Sequence, residues 1–440
     1  MTVQLKIEKL IYGGDGLARI PGEGRQQAVF LPHVLPGEEV EAELHSRGKG
    51  FARARLVKIV EPSPARVEPR CPHFGRCGGC QYQHMDYPAQ LSAKEAILRE
   101  SLRRFAKYEG ALPLEIHSAE PWGYRNRVRL QVRVAGGFRL GFYCANSHQL
   151  EAVHECPLLS PLLGRALTAL WQAGEAGLFD AATAQLQLFA NDAGDSLLAE
   201  LYAVRGAKPA AFQPLSDFLA EKLPELSGLA LFFGEAADED EIAPKAPPQP
   251  SGSFGEAAID YQTALAKFRV GAGAFFQTNR FLVDTMQRLV VEAPGQEEAK
   301  GSALDLYAGV GLFSLPLCSR YEDVTAVELS SYATDCLRER EPKNLSVRQM
   351  ATEEFLKRSH QRVYDRIVLD PPRAGLGEKT AQLLAGFETS RMTYVSCDPV
   401  TLARDLKILL ESGFTIVQAH LLDLFPQTGH METIVHLARG

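Results

Sequence analysis

The sequence predicts an α/β chain of several domains, with a Rossmann-like, doubly wound parallel sheet at its C-terminal end behind a small β-barrel and a central β-rich region. Three observations carry this. From about Phe268 onward, strand-like and helix-like runs alternate to the end, the pattern of a parallel sheet with crossover helices. Residues 2–60 hold about five short β-type runs separated by turn signals such as "GGDG" and "PGEG", the signature of a compact antiparallel barrel of the OB type. At 440 residues the chain also exceeds what one hydrophobic core supports.

The elements follow in order. In the barrel, "HSRGKGFARARLVK" sets Arg47, Lys49, Arg53, Arg55 and Lys58 around Phe51, a composition suited to phosphates and a stacked base. "EPSPARVEPR" (61–70) is a proline-spaced linker, and a helix is expected over roughly Tyr87–Tyr108. "YRNRVRLQVRV" alternates arginine with apolar residues at strand period, which predicts one cationic face carrying Arg125, Arg127, Arg129 and Arg133. The acidic, Pro- and Ser-rich stretch 234–256 reads as a mobile loop. The expected divisions are a barrel over 1–62, a cysteine-bearing segment with its helix over 63–110, the central region over 111–265 and the sheet domain over 266–440.

Charge is unevenly spread. The chain carries −7 overall, yet residues 1–140 carry +7 and the remainder −14, as for a polyanion-binding front attached to an acidic body. No apolar run approaches the roughly 20 residues needed to span a bilayer, and the first ten residues mix charge with apolar side chains. The expectation is a cytoplasmic monomer without a membrane partner. Of eight cysteines, Cys71, Cys77 and Cys80 crowd together in "CPHFGRCGGC", which fits a soft metal better than a disulfide framework. A fourth ligand to these three would complete an iron–sulfur cubane or a tetrahedral zinc, with Cys144 and Cys156 as the nearest later candidates.

Three further groups fall at strand ends. "DLYAGVGLF" places Gly309 and Gly311 in a turn that lets a ligand approach the backbone, and Glu328 follows Gly309 by 19 residues at the end of the next strand. A carboxylate there accepts ribose hydroxyls. Without the third glycine of dinucleotide sites, an adenosyl ligand such as S-adenosylmethionine fits best. "VLDPPRAGL" presents Asp370 on a turn stiffened by Pro371 and Pro372. "VSCDPVTLARDL" places Cys397 at a strand-to-helix junction, where the positive end of a helix dipole lowers a thiol's pKa and favours the nucleophilic thiolate.

Together these residues resemble the uracil-5 RNA methyltransferases over nearly the whole chain, through "YRNRVRLQ", "HECPLL", "GAFFQTN", "LDLYAGVGLFSLPL", "LDPPRAGL", "SCDPVTLARDL" and "GHMETIV". The resemblance implies an N-terminal TRAM-type barrel and a methyltransferase domain. It implies Cys397 as nucleophile and Glu432 as base, with Gln277, Tyr307, Gly309, Glu328 and Asp370 around S-adenosylmethionine. Phe275 is implied beside the target uridine, and Arg125 and Arg127 are expected to meet RNA. Cys156 is selected over Cys144 as the fourth ligand of a 4Fe–4S cluster. Leu312 and Thr352 stand where some members carry asparagines that touch the cofactor. The co-occurrence of barrel and cluster implies 23S ribosomal RNA as substrate, with transfer RNA as the alternative and a non-catalytic RNA-binding protein as the rival class.

Overall fold

The computed structural model describes residues 2–21, 26–48, 50–204, 206–234, 250–294, 301–360 and 362–440. Its N-terminal sheet has six strands, in the spatial order Thr2–Lys6, Glu39–Gly48, Phe51–Glu61, Gln27–Leu31, Gly16–Ile20, Lys9–Leu10. Alternation decides which side chains face inward: along Phe51–Glu61, Ala52 and Ala54 are buried while Phe51, Arg53, Arg55 and Lys58 turn outward, Arg53 onto Asp15 and Arg55 onto Glu43. Lys49 lies outside the described residues.

The cysteine segment leads into a helix, Tyr87–Ser101, that Asp86 caps through the Ala89 N–H and that ends in a π-helical turn, Leu102–Ala106. This helix packs on the C-terminal domain, where Leu98 and Leu102 share a core with Leu402 and Leu406. The central sheet has seven strands, ordered Leu150–Ala152, Arg139–Tyr143, Arg127–Arg133, Thr183–Ala190, Leu197–Ala203, Leu226–Phe233, Gly252–Gly255. Helices Pro161–Glu175 and Gln213–Lys222 cover one face. The last strand falls inside the stretch read as a loop, which corrects that expectation for 252–255; residues 235–249 lie outside the described residues. At Gly255, φ +72°, an added Cβ would lie 2.5 Å from the Ser227 carbonyl oxygen, so glycine lets this edge pair despite its loop-like composition.

The C-terminal sheet has eight strands, in the order Leu345–Gln349, Asp323–Glu328, Ser302–Leu306, Arg366–Leu369, Arg391–Ser396, Glu432–Ala438, Thr415–Leu422, Leu114–His117. The first five are parallel, as the alternating pattern predicts. Glu432–Ala438 runs antiparallel to both neighbours, so the sheet is mixed, not wholly parallel. The eighth strand comes from residues assigned by sequence to the central region: Leu114–His117 pairs in parallel with Thr415–Leu422. Four residues are too short to show a period, and their partner lies three hundred residues away. The central and C-terminal domains also share a core, in which Phe189 stacks on Tyr261 at 6.0 Å and Tyr261 packs against Phe276 at 4.5 Å.

Candidate active site

Ligands of doubly wound sheets sit beyond the carboxyl ends of the parallel strands. Leu306 leads there into Tyr307, Leu369 into Asp370 and Ser396 into Cys397. Because Glu432–Ala438 runs the opposite way, its first residue, not its last, arrives at the same end. Ser396 pairs with Thr433, so Glu432 lies across from Cys397.

On the cofactor side the turn is conformationally demanding. Tyr307 (φ +63°) and Gly309 (φ +54°) both occupy the left-handed region, and for tyrosine this is a strained backbone of the kind concentrated at functional sites. A Cβ on Gly311 (φ +90°) would lie 2.3 Å from Leu337, so the turn closes only with glycine there. Glu328 accepts the Gly309 N–H at 2.9 Å and the Ser330 N–H at 2.7 Å, which fixes its carboxylate and leaves lone pairs for a further donor. Leu312 turns its side chain into the core, and its carbonyl accepts from Gln287 at 2.8 Å. Burial raises the Tyr307 hydroxyl's pKa, and the neighbouring Thr352 side chain opposes that rise. Gln277 is buried on a segment whose backbone is clasped by the central domain: Asn126 N–H donates to the Thr278 carbonyl and Arg280 N–H to the Tyr124 carbonyl, both at 3.0 Å. In the same segment Phe276 is buried, whereas Phe275 is 65% exposed and outside the core.

The electrostatics of Cys397 overturn the sequence expectation. Burial, then the charges of Glu432 and Asp370, push its thiol well up, with Arg373 opposing them. The helix does not rescue it. Its cap is Asp398, one residue later, whose carboxylate takes the Val400 and Thr401 N–H groups at 2.9 Å each, so those free donors do not reach the sulfur. Asp370 is raised to about 8 by burial and by Asp305, and Glu432 is raised strongly by burial and by Asp370. Asp305 itself, raised to about 7 by burial, bonds the Ser314 hydroxyl. The crevice is therefore a proton-holding acidic cluster rather than a thiolate-stabilising one.

Sequence reasoning missed four residues here. Asp305 gave a usable signal, a carboxylate inside an otherwise apolar strand. Tyr12 gave none: it stands on the barrel turn, yet its hydroxyl donates to the Cys397 carbonyl at 3.1 Å. Gly13 and Gly14 of that turn lie against Gly429, where a Cβ would meet the Gly13 backbone at 2.9 Å. Arg373 donates to His430 Nδ1 at 2.7 Å, and burial together with Arg373 lowers the His430 pKa to about 3, which keeps the ring a neutral acceptor.

Cys71, Cys77, Cys80 and Cys156 line one cavity with Arg125, Gln83 and His73. All are free thiols, and burial raises each of the four, Cys77 to about 11 and Cys80 to about 12, with the neighbouring sulfurs adding to the shift at those two. The four sulfurs line one cavity without a disulfide, yet no three of them lie within 4.8 Å of one another, wider than the roughly 3.8 Å between sulfurs of a single tetrahedral zinc. Cys144 is not in that lining, although its backbone bridges to Cys77. Two RNA expectations need correction. Arg125 turns into this cysteine cavity and over Tyr124, and Arg127 is buried, donating to the Ala274 carbonyl at 2.7 Å with its guanidinium 4.6 Å from the Phe189 ring. Strand alternation identified a cationic face but not the domain that covers it.

A Gly-rich turn, an acidic residue on the next strand and a crevice at the carboxyl edge of this sheet fit the class of α/β proteins that bind an adenosyl ligand such as S-adenosylmethionine. Residues 257–440 match the tRNA (Uracil-5-)-methyltransferase family, and residues 1–57 match the TRAM domain. The 23S rRNA (uracil(1939)-C(5))-methyltransferase RlmD of Alkalilimnicola ehrlichii is 31% identical over 99% of this chain and 96% of its own length. That of Vibrio parahaemolyticus is 30% identical over 98% and 94%. The crystal structure of Pyrococcus abyssi tRNA (uracil-54, C5)-methyltransferase with S-adenosyl-L-homocysteine shares the fold, with a TM-score of 0.75 at 23% identity over 99% of this chain and all of that one. The chain belongs to the uracil-5 RNA methyltransferase family, and it is an S-adenosylmethionine-dependent RNA (uracil-C5)-methyltransferase. Among the described residues, no helix is long and apolar enough to cross a membrane.

Proposed function

We propose that the chain methylates carbon 5 of one uridine class in 23S ribosomal RNA through a transient bond between Cys397 and carbon 6. The observation that carries this is the antiparallel final strand, which sets Glu432 across from Cys397 with Asp370 beside them. Bound S-adenosylmethionine supplies an electrophilic methyl group. Carbon 5 of uracil is a weak nucleophile, so the Cys397 thiol gives its proton to solvent and the resulting thiolate adds to carbon 6, its electron pair forming the carbon–sulfur bond and generating an enolate. Carbon 5 takes the methyl as the sulfonium carbon–sulfur bond breaks. Glu432 then removes the carbon-5 proton, and the carbon 6–sulfur bond breaks with its electron pair returning to sulfur. Burial and Asp370 raise the proton affinity of Glu432, so once its own proton has passed to solvent its carboxylate is a strong base for that step.

Gln277, Tyr307, Gly309 and Glu328 hold the cofactor in this reading, with Asp370 between cofactor and base. Phe275, exposed outside the core, flanks a uridine swung out of its stack. Cys71, Cys77, Cys80 and Cys156 would hold a 4Fe–4S cluster with a structural role, since methyl transfer moves no net electron. Ribosomal RNA is favoured by the full-length relatives, and transfer RNA by the name of the matching family and by the structural relative.

The test has two arms. Incubation with 5-fluorouridine RNA and cofactor yields a denaturation-stable protein–RNA adduct, lost in Cys397→Ala; an adduct that persists in that variant defeats the mechanism. Labelled methyl transfer to unmodified 23S ribosomal RNA and to unmodified transfer RNA separates the substrates, and labelling of transfer RNA alone defeats the ribosomal assignment.

A further inference from the structure

Away from the crevice, on the outer edge of the C-terminal sheet, three ligand-type side chains meet across two parallel strands. Glu115 stands directly opposite His420 in the register, and His117 lies two residues further along its strand. His117 Nε2 and His420 Nδ1 are 3.1 Å apart, and Glu115 Oε2 lies 3.8 Å from the first and 3.6 Å from the second. Ligands at about 2.0–2.1 Å from a tetrahedral zinc are separated by roughly 3.3 Å. The three atoms thus already outline one face of such a tetrahedron.

The surroundings complete the pattern. Gln418 donates to Glu115 Oε1 at 2.8 Å, which orients the carboxylate and leaves Oε2 toward the imidazoles, as outer-shell partners do at metal sites. The side chains grade from buried to open, His420 at 3%, His117 at 23% and Glu115 at 58% exposed, so a fourth position faces water.

We propose that Glu115, His117 and His420 form a binding site for a divalent transition ion of the zinc type, with two imidazoles, one carboxylate and one water. Its role is structural. It clips the four-residue strand Leu114–His117, which joins the cysteine-side helix to the central domain, onto the edge of the catalytic sheet.

The test uses the full-length protein as purified, stripped of loosely held metal with a chelator and titrated with Co²⁺. The expected result is visible d–d absorption for one equivalent of tetrahedral cobalt without a sulfur-to-cobalt charge-transfer band, which separates this site from the cysteines. Glu115→Gln, an exposed change, abolishes that absorption while leaving the metal-free melting temperature unchanged. Gln418→Leu weakens binding by about 10–100-fold. Zn²⁺ raises the melting temperature of the parent and not of Glu115→Gln. Cobalt spectra that show only sulfur ligation, or an isotherm unchanged in Glu115→Gln, would overturn the proposal and reduce the cluster to an imidazole–imidazole hydrogen bond.

Discussion

Replacing Lys94 by methionine should destabilise the protein more than any single surface change, and the structure sets the size. Lys94 sits on the helix Tyr87–Ser101, and its ammonium donates to Asp423 Oδ1 at 2.5 Å and to the Phe425 carbonyl at 3.0 Å. Both side chains of the pair are fully buried, and burial lowers the lysine pKa while Asp423 opposes that fall. Lys94→Met leaves the Asp423 carboxylate buried without its cation, which costs about 3–5 kcal/mol. At about 2–4 °C per kcal/mol for a unit of this size, the melting temperature falls by about 6–20 °C. The double variant Lys94→Met with Asp423→Asn removes both charges and recovers to within about 1 kcal/mol of the parent, because an ion pair this deep repays little beyond its own desolvation. Thermal and urea denaturation of the four proteins give the cycle. A loss below about 1 kcal/mol in Lys94→Met, or additive losses in the double variant, would refute the reasoning.

Two other outcomes follow. Tyr12→Phe deletes the hydrogen bond to the Cys397 carbonyl, a net loss of about 0.5–1.5 kcal/mol, and should lower kcat about 2–10-fold and slow adduct formation with cofactor affinity unchanged; an unaltered rate would remove the barrel from the catalytic arrangement. Folding stability should fall as pH rises from about 4 to 8, because Asp305 at about 7 and Asp370 at about 8 hold protons more tightly folded than unfolded, so their contribution is complete below the unfolded value and lost through the folded one. The slope is at most about 1.4 kcal/mol per pH unit per group. Asp305→Asn, which keeps an acceptor for Ser314, should flatten the melting-temperature profile, and a parallel profile would contradict the assignment.

What the sequence made legible lies where local pattern and local structure coincide. The strand ends bearing Tyr307, Asp370 and Cys397 were readable because glycine and proline mark where a ladder stops, and Glu328 because it ends the next strand 19 residues after Gly309. Less was legible wherever the outcome depended on a distant neighbour. Arg127 alternates like a surface strand residue, but Ala274 and Phe189 close over it. The thiol of Cys397 was expected to feel a helix dipole, but the cap falls on Asp398 and the surrounding charges are carboxylates. Tyr12 and Cys397 are 385 positions apart, a separation no periodicity bridges.

The strand Leu114–His117 has a consequence for how the chain is made. Its first partner in the sheet leaves the ribosome some 300 residues later, as the His117–His420 contact across 303 positions records. At about 5–20 residues per second, translation keeps that edge, and the apolar side of the helix before it, waiting for roughly 15–60 s. Through that interval Leu98 and Leu102 lack part of the surface they will cover, so the nascent N-terminal half exposes apolar side chains until the C-terminal sheet is made. A C-terminal fragment cut at residue 257 would fail for the complementary reason, since Leu402 and Leu406 would then face water.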